Sequence, residues 1–330
     1  MTTETLQAEV QAALVALYTF ERELPRGGMS RVFVATENAL RRRVVIKVLS
    51  PELAATLSAE RFKREIVLAA RLQHPHIVPL LSAGLAGSHL YYSMPLVDGE
   101  SLRERINRER PMSFADITRI LEEVARAIAY AHEEGVVHRD IKPENVMFFH
   151  GQAVVLDFGI GKALLSAASH ETEILRITQA GMSLGTPTYL APEQAIGDPG
   201  LDHRADLYSL GVVAYEMITG HPPFAGRSPQ AVMEAHARVR PEPLEVRRPD
   251  VPPHLAAIVM RCLAKRPDDR PTTGEEIVRA LGAAGAQRPL GSARMGAFGK
   301  APAWLPWAIA GISTLAAILF AVLYATRTRG

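Results

Sequence analysis

The fold of this chain is decided by two short motifs, His138-Arg139-Asp140-Ile141-Lys142-Pro143-Glu144-Asn145 and Asp157-Phe158-Gly159. Between them lie two short apolar runs typical of strands, Val146–Phe149 and Val154–Leu156. The motifs therefore place two carboxylates, a lysine and an amide on short connections next to strands. Carboxylate and amide oxygens are hard ligands that suit a divalent cation, and a further carboxylate can accept the proton of a hydroxyl group.

The regions around these motifs change from strand-like to helical. Residues 18–95 carry β-branched runs such as Val44–Val48, interrupted by one helical pattern at Ala59–Leu72. From about residue 113 onward helical patterns dominate, and one of them carries an apolar stripe formed by Ile117, Ile120, Leu121, Val124, Ile128 and Ala131. We expect an α+β fold with a small β-rich N-lobe, about residues 18–95, a larger helical C-lobe, about residues 96–282, and a cleft between them.

The composition is that of a globular protein. The chain has 330 residues, of which 48% are hydrophobic and 22% charged, and its formal net charge is +2. Such a small charge, without a dominant basic tract, does not predict nucleic acid as a partner. The single cysteine, Cys262, excludes an intrachain disulfide and suits a reducing compartment. No Cys and His spacing of a zinc site occurs.

The N-terminal residues 1–17 predict a short amphipathic helix. Leu6, Val10, Leu14 and Leu17 recur at helical spacing. Acidic residues precede the apolar stretch and no Lys or Arg does, which is the wrong charge for a secretory signal.

A charge-free segment runs from Ala301 to Thr326. It is long enough for the roughly 20 apolar residues that cross a bilayer. Trp304 and Trp307 stand at one end and Tyr324 at the other, where amphipathic rings favour the membrane interface. The alternative, a buried core helix, would lack a partner surface behind a Gly-rich linker. The predicted segments are a flexible juxtamembrane linker at 283–303, a transmembrane helix at 304–325 and a short tail at 326–330.

The two motifs resemble the catalytic loop and the metal-binding loop of the bacterial eukaryotic-like (Hanks-type) protein serine/threonine kinases. The resemblance covers about residues 18–282, with several motifs in the same order. It implies that Asp140 orients the substrate hydroxyl and that Lys142 stabilises the transferring phosphoryl group. It also implies that Asn145 and Asp157 hold Mg²⁺.

The resemblance extends to the ATP site. Val44-Val45-Ile46-Lys47 resembles the strand whose lysine grips the α- and β-phosphates, and Glu65 on the following helix would pair with Lys47. The other ATP-binding residues that it implies are Gly27 and Gly28 in the glycine-rich loop, Met94 and Val97 at the hinge, and Val32, Val45 and Met147 around adenine. The loop departs from the family because Pro25 and Ser30 replace two of its three glycines. Proline has no N–H group and a fixed φ, so we expect Pro25 to impair the use of ATP modestly.

Three further matches concern the substrate side of the domain. Residues 185–193 resemble the peptide-positioning loop and its closing signature, and Thr186, like Lys142, is typical of the Ser/Thr-directed branch. Asp206 resembles the buried aspartate that holds the catalytic loop. Arg270 resembles the arginine that pairs with Glu193.

A regulatory role is implied for the segment after the metal-binding loop. Arg139 precedes the catalytic aspartate, and an arginine there can pair with a phosphate on this activation segment. Thr178 is the favoured phosphorylation site, ahead of Thr172 and Ser183.

Together these motifs predict an ATP- and Mg²⁺-dependent protein serine/threonine kinase, anchored in the cell membrane with its kinase domain in the cytoplasm. Its predicted partners are protein substrates, the lipid bilayer and a second copy for trans-autophosphorylation. The alternative is a pseudokinase, a membrane scaffold with the same fold and little or no catalysis. The presence of all five functional residues favours the enzyme: Lys47, Glu65, Asp140, Asn145 and Asp157.

Overall fold

The computed structural model of the chain describes residues 3–24, 30–50, 59–158 and 187–286. Its N-lobe contains a five-stranded antiparallel sheet in the order β1-β2-β3-β5-β4. The strands are β1 (Tyr18–Glu23), β2 (Ser30–Glu37), β3 (Arg42–Leu49), β4 (Ser82–Ala86) and β5 (His89–Pro95). Because side chains alternate between the two faces of a strand, the sheet separates two apolar clusters, one on each face.

The N-terminal helix, α1 (Thr3–Leu14), covers the outer face of this sheet. Leu6, Val10 and Leu14 are buried there, as their helical spacing predicted. The helix is shorter than the predicted range of 1–17, and Leu17 is 53% exposed. The reason is a turn after Leu14, in which the Leu17 amide donates to the Leu14 carbonyl at 2.9 Å before the chain enters β1.

The inner face of the sheet is partly covered by α2 (Ala59–Ala69), through its buried residues Phe62 and Ile66. The predicted helix extended to Leu72, but the last residues form a turn in which the Leu72 amide binds the Ala69 carbonyl at 3.2 Å. The inner cluster also contains Val45 and Leu49 of β3.

The C-lobe is helical, with one small sheet. Its helices are α3 (Leu102–Arg108), α4 (Phe114–Glu133), α5 (Pro192–Ala195), α6 (Arg204–Thr219), α7 (Pro229–Arg238), α8 (Leu244–Arg247), α9 (Pro253–Cys262) and α10 (Gly274–Ala286). Strand β6 (Val146–Phe149) has the predicted bounds, and its partner β7 (Gln152–Val155) overlaps the prediction of Val154–Leu156 but begins two residues earlier and ends one residue earlier. The six predicted stripe residues of α4 are all buried in the C-lobe core.

Helix α6 is the centre of the C-lobe, since almost all of its residues are buried. At Gly211 it approaches α9 so closely that a Cβ atom would lie 2.7 Å from Cβ of Cys262. Glycine is therefore required for this contact between the helices. The two-lobed architecture expected from the sequence is confirmed.

Among the described residues, no helix is both long and apolar enough to cross a membrane. The predicted linker at 283–303 begins too early, because α10 continues to Ala286. The rest of that linker, the predicted transmembrane helix at 304–325 and the tail at 326–330 lie outside the described residues.

Candidate active site

The catalytic loop places Asp140 between two donors. Lys142 Nζ donates to Asp140 Oδ2 at 2.5 Å, and Asn145 Nδ2 donates to the same oxygen at 3.1 Å and to the Asp140 carbonyl at 2.8 Å. The Asp140 side chain is 45% exposed. Among the described residues nothing donates to its Oδ1 atom, which leaves this oxygen for the hydroxyl of a substrate.

Asp206, on α6, fixes the catalytic loop through hydrogen bonds to its backbone. Its carboxylate accepts the amides of His138 and Arg139 at 2.8 and 2.7 Å, and His132 Nε2 donates to it at 2.8 Å. Burial raises the pKa of Asp206, but the bond and the charge of His132 outweigh it and leave the pKa below its usual value. The predicted role of Asp206 is confirmed by these contacts.

The backbone of both motifs is strained. Arg139 and Asp157 have φ angles of 66° and 64°, in the left-handed region that non-glycine residues rarely adopt. Such a conformation costs on the order of 1–3 kcal/mol per residue and persists where the surroundings enforce it. His138 supplies one restraint between the motifs, because its ring packs edge-on against Phe158 at 4.7 Å and its Nε2 donates to the Leu156 carbonyl at 2.7 Å.

The Asp157 carboxylate has one donor on each oxygen. Lys47 Nζ forms an ion pair with Oδ2, and the hydroxyl of Tyr92 donates to Oδ1 at 3.0 Å. Burial raises the pKa of Asp157, but the Lys47 ammonium and the Tyr92 bond more than compensate and hold the pKa below its usual value. Asp157 is therefore ionised at neutral pH, as a metal ligand must be.

Asp157 and Asn145 form a donor set that suits a hard divalent cation. Because Nδ2 of Asn145 is committed to Asp140, its amide oxygen is left as the atom that can bind a metal ion. The two residues are also tied through the backbone, since the Leu156 amide donates to the Asn145 carbonyl at 2.9 Å. In the described part of the chain, no group of three or more His, Cys, Asp or Glu side chains has an arrangement that could hold a metal ion. Two protein ligands with phosphate oxygens completing the shell is a usual arrangement for Mg²⁺.

The predicted nucleotide residues share one face of the sheet. Val45 and Met94 are cross-strand partners on β3 and β5, and Val32 of β2 lies opposite Lys47. Directly opposed residues of an antiparallel pair have their side chains on the same face. Val32, Val45 and Met94 accordingly belong to the inner apolar cluster beside Lys47.

Other predicted nucleotide residues are less completely described. Val97 follows β5, and Met147 on β6 forms an isolated bridge with Ser101. Glu65 lies half-buried on α2, and its pairing with Lys47 stays a prediction. Gly27 and Gly28 lie outside the described residues.

The peptide-positioning loop is held by two ionic networks. Arg270 Nη1 and Nη2 donate to the two carboxylate oxygens of Glu193 at 2.6 and 2.7 Å, which confirms the predicted pair. In the second network, Glu216 on α6 accepts Arg103 Nη1 at 2.6 Å and the Tyr189 hydroxyl at 2.5 Å. The second network was not predicted.

The family comparison agrees with this geometry. Residues 18–280 match the family model described as "Protein kinase domain". The chain belongs to the protein kinase family. The match begins where β1 begins, so α1 lies before the part that the family model describes.

Three bacterial protein kinases are among the curated relatives of this kinase domain. The chain is 42% identical over 257 residues to "Serine/threonine-protein kinase PknB" of Mycolicibacterium smegmatis. This alignment covers 76% of the chain and 40% of the relative. PknB of Mycobacterium tuberculosis is 40% identical with the same coverage. "Serine/threonine-protein kinase pkn2" of Myxococcus xanthus is 38% identical over 270 residues, 80% of this chain and 32% of that protein. The aligned region thus spans less than half the length of these relatives.

The sequence prediction and the structure differ in coverage at two places in the kinase domain. The predicted phosphorylation sites Thr178, Thr172 and Ser183 lie outside the described residues. Tyr92 is described but was not predicted. The only signal for it is the alternation along His89–Pro95, which places Tyr92 on the same face as Met94.

Proposed function

We propose that this chain is an ATP- and Mg²⁺-dependent protein serine/threonine kinase. The observation that carries the proposal is the Asp140 carboxylate, with Oδ2 held by Lys142 and Asn145 and Oδ1 directed to no other described donor. The protein kinase family uses ATP and a divalent metal ion, and the named relatives are serine/threonine-protein kinases. Lys142 and Thr186 support hydroxyls of Ser and Thr as the acceptors.

In the proposed reaction, the hydroxyl of a substrate Ser or Thr donates to Asp140 and attacks the γ-phosphorus of ATP, and ADP leaves. Asp140 accepts the hydroxyl proton as the new O–P bond forms. Lys142 stabilises the charge on the transferring group, and Lys47 binds the α- and β-phosphates. Asp157 and Asn145 would hold Mg²⁺, which would offset the negative charge of the phosphates.

The test is phosphoryl transfer by the purified full-length chain, measured with labelled ATP on itself and on a generic protein substrate. Asp140→Asn removes the proton acceptor but keeps the size of the side chain, so activity should fall about a thousandfold. The matched control is Asp250→Asn, because the Asp250 side chain is 70% exposed and pairs with Arg248 in the C-lobe. An inactive wild-type chain that still binds ATP would favour the pseudokinase alternative. Equal activity of Asp140→Asn and wild type would contradict the mechanism.

We propose further that protein substrates include a second copy of the chain, which would phosphorylate Thr178 in trans. A phosphate on the activation segment would pair with Arg139, an arginine that lies next to the catalytic aspartate.

The cell membrane is the proposed location, with the kinase domain facing the cytoplasm and its ATP. The charge-free sequence from Ala301 to Thr326 supports this. Full-length protein should remain in the membrane fraction after alkaline extraction, and a chain lacking residues 301–330 should be soluble. Recovery of the full-length chain in the soluble fraction without detergent would show that the location is wrong.

A further inference from the structure

The inner face of the N-lobe sheet carries one tyrosine hydroxyl that reaches the metal-binding motif. Tyr92 is the cross-strand partner of Lys47, so the two side chains lie next to each other on the same face of the sheet. Both end on the Asp157 carboxylate, Lys47 at Oδ2 and Tyr92 at Oδ1. Two neighbouring side chains of the sheet thus each bind one oxygen of the same carboxylate.

The surroundings of Tyr92 give its hydroxyl no other described partner. The residue is buried in the inner apolar cluster, whose members include Leu90, Met94 and Phe62. Leaving a buried hydroxyl without a hydrogen bond destabilises the folded state, so the bond to Asp157 restrains both groups. The carboxylate is held in a particular rotation, on a residue whose backbone is already strained.

We propose that Tyr92 is a positioning residue for the metal ligand Asp157. This inference rests on the proposed function, in which Lys47 binds the phosphates of ATP. When the Lys47 ammonium binds phosphate, its ion pair with Asp157 is weakened. The Tyr92 hydroxyl has no role in binding the phosphates, so its hydrogen bond to Asp157 is kept. Tyr92 therefore orients Oδ1 and leaves the remaining lone pairs of the carboxylate for Mg²⁺. Partners that orient a metal ligand in this way typically change metal affinity or activity 10- to 100-fold.

The test compares Tyr92→Phe with Tyr91→Phe, both in the full-length protein. Each variant removes one hydroxyl from a buried ring of β5, but Tyr91 packs in the outer cluster on the other face of the sheet. The measurement is the dissociation constant of a non-hydrolysable ATP analogue, with and without Mg²⁺. The ratio of the two constants is the gain from the metal.

We expect Tyr92→Phe to lower this gain about tenfold. Binding of the metal-free analogue should change less than twofold, and Tyr91→Phe should keep the wild-type gain. In steady-state kinetics, Tyr92→Phe should need about ten times more free Mg²⁺ for half-maximal rate, with kcat largely restored at saturating Mg²⁺.

Each other outcome has a distinct meaning. Wild-type protein that binds no ATP analogue would refute the proposed function, and with it this inference. Wild-type binding with an unchanged Mg²⁺ gain in Tyr92→Phe would overturn the inference alone. An equal loss of binding with and without Mg²⁺ would also overturn it, because the hydroxyl would then support the cleft in general. Tyr92→Met provides a second variant without a hydroxyl. If neither variant unfolds cooperatively, Tyr92 is required for the stability of the fold, and the proposed role in positioning the metal ligand is wrong.

Discussion

The two faces of the N-lobe sheet are built from alternate residues of the same strands, yet they do different work. On the outer face, Ile46 and Val48 of β3 pack with Val10 of α1 in an apolar cluster, and polar contacts such as His89 with Glu9 lie beside it. On the inner face, the polar ends of the Lys47 and Tyr92 side chains contact Asp157 beside the inner apolar cluster.

The difference shows how a sheet can separate stability from chemistry. Because side chains alternate with a period of two, a shift of one residue moves a side chain from the helix-covered face to the cleft. Outer residues contribute by removing apolar area from water, about 25 cal/mol per Å². Inner residues contribute through the position of a charge or a hydroxyl. Substitutions on the two faces should therefore have separable effects.

Of the substitutions on the two faces of the sheet, Lys47→Arg on the inner face should have the largest effect. Arginine keeps the positive charge that pairs with Asp157, so the fold should be retained, with a stability change below about 1 kcal/mol. A planar guanidinium cannot take the place of the compact ammonium on the phosphates, so kcat/KM should fall about a hundredfold, or about 2.7 kcal/mol. Steady-state kinetics and urea unfolding of the same preparation measure both quantities.

Its neighbour on the other face, Val48, supplies the contrast. Val48→Ala should lower the free energy of unfolding by about 2 kcal/mol, because Val48 is fully buried, and should leave kcat/KM within twofold of wild type. A large loss of kcat/KM in Val48→Ala, or an unaltered kcat/KM in Lys47→Arg, would break the separation of the two faces.

The sequence predicted those parts of the site that lie within short motifs. Asp140, Asn145 and Asp157 stand on connections whose spacing is local, and Asp206 and the Glu193–Arg270 pair follow from family motifs that the structure bears out. The spacing along the chain does not give the two distant pairings, of Asp206 with the catalytic loop and of Glu193 with Arg270; the resemblance to the kinase family does.

What escaped prediction depends on strand register or on distant contacts for which the family motifs gave no signal. Tyr92 reaches Asp157 only because β3 and β5 pair so that Tyr92 stands opposite Lys47, and no motif records that register. Arg103 and Glu216 are far apart in the chain and meet through the packing of α3 near α6. The end of α1 was also misplaced, since the spacing of Leu17 fits a helix but the turn into β1 takes precedence.

The smallest expected effect concerns α1, which lies outside the part of the chain that matches the kinase family. Val10 is 0% exposed against the sheet, whereas Val15, just after the helix, is 67% exposed, so the same substitution can be made at both sites. Val10→Ala removes the equivalent of two methylene groups from the interface, about 1.6 kcal/mol of burial. The higher helix propensity of alanine offsets about 0.5 kcal/mol of this, which leaves a net loss of about 1 kcal/mol in urea unfolding. Val15→Ala should change stability by less than about 0.5 kcal/mol, and both variants should keep the wild-type KM for ATP. Equal stability of Val10→Ala and Val15→Ala would show that α1 does not hold the outer face in solution. A raised KM in Val10→Ala alone would show instead that the outer face influences the nucleotide site through the sheet, and the two faces could then no longer be treated as independent.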